Sequence, residues 1–144
     1  MAKLELAREL ALSPQDAWAH VSDLGSLGDW LVMHEGWRGE LPAELSVGTT
    51  LVGVAGAKGL RNRVTWTVKE FDPPELLEVT GNGVGGTTYG LTMKVTPTKS
   101  GCAFKVTLNL GGAPLFGPIG SAAARAVKGD IERSVRRFEE LYAG

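Results

Sequence analysis

The stretch PIGSAAARAVKGDIERSVRRFEELY, residues 118–142, sets apolar side chains at Ile119, Ala123, Val127, Ile131, Val135, Phe138 and Tyr142. Steps of three and four residues follow one stripe of an α-helix, so the segment predicts a single long amphipathic helix. At about 1.5 Å per residue it reaches roughly 37 Å, enough to lie across a small sheet. Lys128, Arg133, Arg136 and Arg137 fall off the stripe and, with Glu132, Glu139 and Glu140 among them, read as a solvated face. Gly117-Pro118 marks the start, because the first turn loses nothing by a missing N–H.

Upstream the period changes from helical to two. From Lys3 to Leu10, Leu4, Leu6 and Leu10 share one face and Lys3, Glu5 and Glu9 the other, while Arg8 interrupts the apolar side as an edge strand allows. Ser13-Pro14-Gln15-Asp16 combines a capping hydroxyl, a proline at the first helical position and an acid near the helix dipole. It opens a short helix with Ala17, Trp18 and Val21 inward and His20 outward, stopped by Gly25, and a brief second turn follows at about Leu27–Leu31. Six more strands are expected at about Gly36–Leu41, Thr49–Gly56, Arg63–Phe71, Leu76–Thr80, Thr87–Thr96 and Cys102–Leu110. Asp72-Pro73-Pro74 and Lys99-Ser100-Gly101 are turn chemistry, so consecutive strands pair antiparallel. Alternation gathers Val64, Trp66 and Val68, then Tyr89, Leu91, Met93 and Val95, then Phe104, Val106, Leu108 and Leu110 on one face. The fold class is α+β, with an antiparallel sheet apolar on one side and a helix stripe to cover it.

The totals narrow the function classes. A length of 144 residues fits one domain spanning 1–144. With 15 Lys plus Arg against 16 Asp plus Glu, the net charge of −1 provides no field for nucleic acid, and no such partner is expected. The single Cys102 excludes an intrachain disulfide and points to the reducing cytoplasm. No secretory h-region and no apolar run near ~20 residues is present, so no integral membrane association is expected. His20, His34 and one cysteine give no zinc-ligand spacing and no nucleophile with its base, so neither a metal nor a cofactor is expected. Gly81-Asn82-Gly83-Val84-Gly85-Gly86 matches G-x-G-x-x-G in letters, but β-rich Thr87–Thr92 follows where a dinucleotide fingerprint needs a helix. It reads as a flexible loop between strands.

Several stretches, taken in order, resemble the START/SRPBCC superfamily and its polyketide cyclase/dehydrase-like branch. They are Ser13-Pro14-x-x-Ala17-Trp18, Val21-Ser22-Asp23-Leu24 followed by Trp30, Val68-Lys69-Glu70-Phe71-Asp72-Pro73-Pro74, and Gly117-Pro118 ahead of Asp130–Phe138. The resemblance spans nearly the full chain. It implies a helix-grip fold, in which a seven-stranded curved antiparallel sheet with two short helices wraps one long C-terminal helix. It also implies a cavity between sheet and helix for a lipid, polyketide or similar apolar molecule, in a monomer or homodimer. It implies no shared chemistry, since some relatives are cyclases or aromatases and many have no established activity.

Candidate residues follow from that frame. Trp30, Trp37, Trp66, Tyr89, Met93 and Phe104 offer aromatic and thioether surface for a ligand, or fill a core. Ile119, Ala123 and Val127 face the same space from the helix. Leu115-Phe116, in the Gly/Pro-rich Gly111–Gly120 segment, reads as a lid or as a staple fixing the helix's approach angle. Arg61, Asn62 and Arg63 open a strand in water, with Arg63 within reach of a ligand oxygen. His34 is the one histidine placed where a proton could usefully move, but without a partner in sequence it reads as a solvated loop histidine first and as a polar pocket contact second. Binding of a small hydrophobic ligand without turnover is the first expectation. A cyclase- or dehydrase-type enzyme and a non-catalytic interaction or stress-response module are the alternatives.

Overall fold

The computed structural model of the chain describes residues 2–57, 60–112 and 117–143. In chain order they form β1 (Ala2–Leu10), α1 (Pro14–Val21), a 3₁₀ turn (Leu24–Ser26), α2 (Leu27–Trp30), β2 (His34–Arg38), β3 (Thr50–Ala57), β4 (Leu60–Asp72), β5 (Leu76–Gly83), β6 (Thr88–Pro97), β7 (Cys102–Gly111) and α3 (Gly117–Tyr142). The seven strands make one curled antiparallel sheet in the order β1-β7-β6-β5-β4-β3-β2. The chain meanders from β2 to β7, and β1 joins β7 at the far side. Helix α3 lies along β1 and β7 and against α2, closing the hollow side of the sheet. This is the helix-grip architecture.

Local chemistry accounts for the boundaries. The Ser13 hydroxyl accepts the Asp16 N–H at 3.1 Å and Pro14 occupies the first turn, so α1 begins where its amides are satisfied. Two expectations shift. Strand β2 runs His34–Arg38 rather than Gly36–Leu41, with a bulge between His34 and Gly36, and Gly39 at φ +84° ends it. The glycine run expected as a loop is strand as far as Gly83; the turn proper starts at Val84, and Gly85 and Gly86 both take φ +88°. Gly81 is there for space: a Cβ would stand 2.5 Å from Val64 Cγ1 and 2.8 Å from the Trp66 ring.

The core is held by three fully buried rings from three elements. Trp30 of α2 meets Phe104 of β7 at 5.6 Å and Phe138 of α3 at 5.2 Å, and the two phenylalanines lie 4.5 Å apart. Buried Ser134 adds a polar fastening: its hydroxyl donates to the Asp130 carbonyl at 2.7 Å and accepts the Val32 N–H at 2.9 Å. The interrupting Arg8 also finds its reason, since its Nε donates to Glu139 of α3 at 2.9 Å. Truncating Phe138 to alanine removes a ring packed against those of Trp30, Phe104 and Tyr142, so it should cost about 3–5 kcal/mol, read as a lowered urea midpoint.

Candidate functional site

Strand register sets the site. Leu51, Trp66, Gly81, Tyr89 and Leu110 are successive partners across β3, β4, β5, β6 and β7. Neighbouring strands lie about 4.8 Å apart, so the two large rings stand one strand removed on either side of a residue without a side chain. They lean together over Gly81, with centroids 5.9 Å apart. Toward the β5–β6 turn, the next concave-facing partners are Gly53, Val64 and Gly83, and beyond them His34, Ala55 and Asn62.

That last set turns the apolar face polar at its rim. The Asn62 amide nitrogen donates to the Tyr89 hydroxyl at 3.0 Å, and its oxygen accepts the Val84 N–H at 3.0 Å. The backbone donor fixes which end of the amide faces Tyr89. Since the Tyr89 oxygen accepts from Asn62, its own proton remains for another acceptor. A Cβ at Gly83 would collide with this pair, so that glycine keeps the arrangement open.

His34 is 7 % exposed, which overturns the solvated-loop expectation. It opens β2, and the bulge after it turns the ring inward, 4.4 Å from Trp37 and with Cε1 3.2 Å from where a Gly53 Cβ would stand. Burial pushes its pKa down to about 4, so it is neutral at physiological pH. Its Nε2 has no hydrogen-bond partner among the described residues.

The other sequence-picked residues divide. Trp66 and Tyr89 come together. Met93 and Phe104 are fully buried beneath the concave face, and Trp30 belongs to the aromatic core. Trp37 is half-buried beside His34 and donates to the Leu24 carbonyl at 2.6 Å. Val127 is buried on α3. Arg63 stands apart from this group, exposed on the opposite face and paired in register with Val54. Phe116 and the rest of the expected lid or staple at 113–116 lie outside the described residues, as do the side chains of Ile119 and Ala123. Asn62, which the sequence placed only at a strand end in water, joins the site through Tyr89 and Val84. Its signal was the alternation it shares with Val64 and Trp66.

Chemically, the arrangement offers apolar contact, one hydroxyl with a proton to give and one neutral imidazole. Among the described residues, no group of three His, Cys, Asp or Glu side chains is placed to hold a metal, and no helix is long and apolar enough to cross a membrane.

The profile described as polyketide cyclase/dehydrase and lipid transport matches residues 1–143. The chain belongs to this family. Among similar proteins, Rv1546 of Mycobacterium tuberculosis strain H37Rv is 59 % identical over 142 residues, covering 99 % of each chain. Toxin Rv0910 of the same strain is 40 % identical over 144 residues, covering 100 % of both. Of solved structures, TTHA0849 from Thermus thermophilus superposes with TM-score 0.78 at 21 % identity, over 96 % of this chain and 95 % of that one. CV1439 from Chromobacterium violaceum gives 0.70 at 18 %, over 99 % and 97 %. At those identities the likeness speaks for the fold alone.

A pH dependence follows from His34. Its pKa is about 6.5 unfolded and about 4 folded, so the unfolded chain binds the extra proton between those values. Stability is full above the unfolded value and falls as pH drops toward the folded one, by on the order of 2 kcal/mol at pH ~4.5. Urea unfolding at pH ~7 and ~4.5 should show that loss in the native chain, and a loss smaller by this amount in His34→Gln.

Proposed function

We propose that the chain binds a small hydrophobic ligand, a lipid, polyketide or similar molecule, between the concave sheet face and α3, and holds or presents it without turnover. The observation that carries this reading is the Trp66–Tyr89 pair over Gly81, with the Tyr89 hydroxyl held by Asn62 at the edge of an apolar surface. Rings placed this way supply contact area, and the free hydroxyl proton orients a guest bearing a carbonyl or other acceptor oxygen. Family membership supports the same class of guest. Binding is favoured over cyclase or dehydrase chemistry because burial holds the pKa of His34 at about 4, far from neutrality where a proton shuttle works best, and no described residue hydrogen-bonds its Nε2 to orient it. The one hydrophobic core cluster of the described residues and the buried free Cys102 support reading the chain as one cytoplasmic domain.

Native mass spectrometry and displacement of the fluorescent apolar probe N-phenylnaphthylamine test the proposal. Uptake is expected, and Tyr89→Phe should weaken ketone-bearing ligands several-fold to about tenfold while leaving alkanes unchanged, as for loss of one hydrogen bond. Absence of uptake across a broad lipid and polyketide panel would refute it.

A second reading rests on the full-length relative that carries the name toxin. On it, the chain restrains growth when produced in a bacterial host. Induced expression separates the two: arrested growth with the native chain supports the toxin reading, and unimpaired growth at high expression removes it.

A further inference from the structure

We propose that the cleft at the β2 edge, where Arg38, Arg61 and Arg63 surround Gly36 and Val54, is a second binding site, one for a phosphate monoester. The cleft has a volume of about 350 Å³, within the range of small-molecule sites, and lies outside the concave interior. Its floor comes from the register. Gly36, Val54 and Arg63 are successive partners across β2, β3 and β4, and Arg38 lies two residues along from Gly36. A Cβ at Gly36 would meet nothing within 4 Å, so the missing side chain is what hollows the floor.

The charge is arranged around that hollow. Glu35 packs where a Gly56 side chain would otherwise stand and accepts from Arg61 through a single oxygen, at 2.7 Å from Nε and 2.6 Å from Nη2. This orients Arg61 while occupying one carboxylate. Arg38 and Arg63 are exposed and, among the described residues, have no ion-pair partner. Three guanidinium groups against one carboxylate leave a local charge of +2 on a chain whose net charge is −1. A phosphate monoester carries about −1.5 to −2 at neutral pH and presents oxygens in the spacing of the guanidinium fork, so it matches in both charge and shape. Val54, on the same face as Arg63, gives the organic part of such an ester an apolar contact. Asn62 also borders the cleft, but its amide is spent on Tyr89 and Val84, so the two sites work separately.

The test is titration of the full chain with phenyl phosphate, followed by backbone amide shifts, beside benzenesulfonate as a monoanion of similar shape. A parallel arm measures co-sedimentation with phosphatidylcholine vesicles with and without phosphatidic acid. Saturable shifts at Gly36, Val54 and Arg63 are expected, tighter for phenyl phosphate than for benzenesulfonate and weakened by salt. The Arg38→Gln/Arg63→Gln double variant should weaken binding about tenfold or more, and Gly36→Leu should block it by filling the floor; circular dichroism checks that both fold. Phenyl phosphate without vesicle binding identifies a soluble ester, and binding to the phosphatidic acid vesicles identifies a lipid headgroup. The proposal is overturned if neither probe binds, if benzenesulfonate binds as tightly as phenyl phosphate, or if the double variant binds as well as the native chain. None of these outcomes depends on the interior taking up an apolar guest.

Discussion

The contact among Trp30, Phe104 and Phe138 is the constraint on which the rest of the molecule depends. A curled sheet with one apolar face has no stable form in water until something covers that face, and here the cover arrives last in the chain. The three rings come from α2, β7 and α3, so their meeting fixes at once where the long helix crosses the sheet and how the short helices tuck beneath it. Each buries roughly 150–250 Å², which makes this small cluster a large share of what ties helix to sheet.

The same physics explains why glycine sits inside strands, where it ordinarily weakens them. The Trp66 and His34 rings lie partly over the neighbouring strand, where a side chain would crowd them. Gly81 and Gly53 resolve this by giving Trp66 and His34 bare backbone to lie against. A cost in strand propensity is thereby exchanged for broad, inward-facing aromatic surface.

Much of this was legible in the sequence because it depends on periodicity. The stripe of α3, the alternation of β4, β6 and β7, and the Ser13-Pro14 cap each reflect a local rule and each produced the expected element. What was not legible depended on non-local geometry. His34 looked solvated because a bulge, invisible in a single sequence, sets which way its ring turns. Asn62 looked like a strand end in water because its partner Tyr89 is 27 residues away in the chain. Arg63 was grouped with the ligand residues by proximity in sequence, whereas a period of two puts it on the face opposite Asn62. Gly81 and Gly83 looked like loop for their composition, and only the rings of neighbouring strands show why they are strand.

The double hydrogen bond of Ser134 carries a mechanical implication. Each residue of an α-helix turns it by about 100°, so rolling α3 by a single position would swing the hydroxyl away from Val32 and offer that amide the side chain of Arg133 or Val135. The serine therefore acts as a key in a shaft. It locks the helix against rotation about its own long axis, a degree of freedom that greasy packing alone leaves comparatively soft.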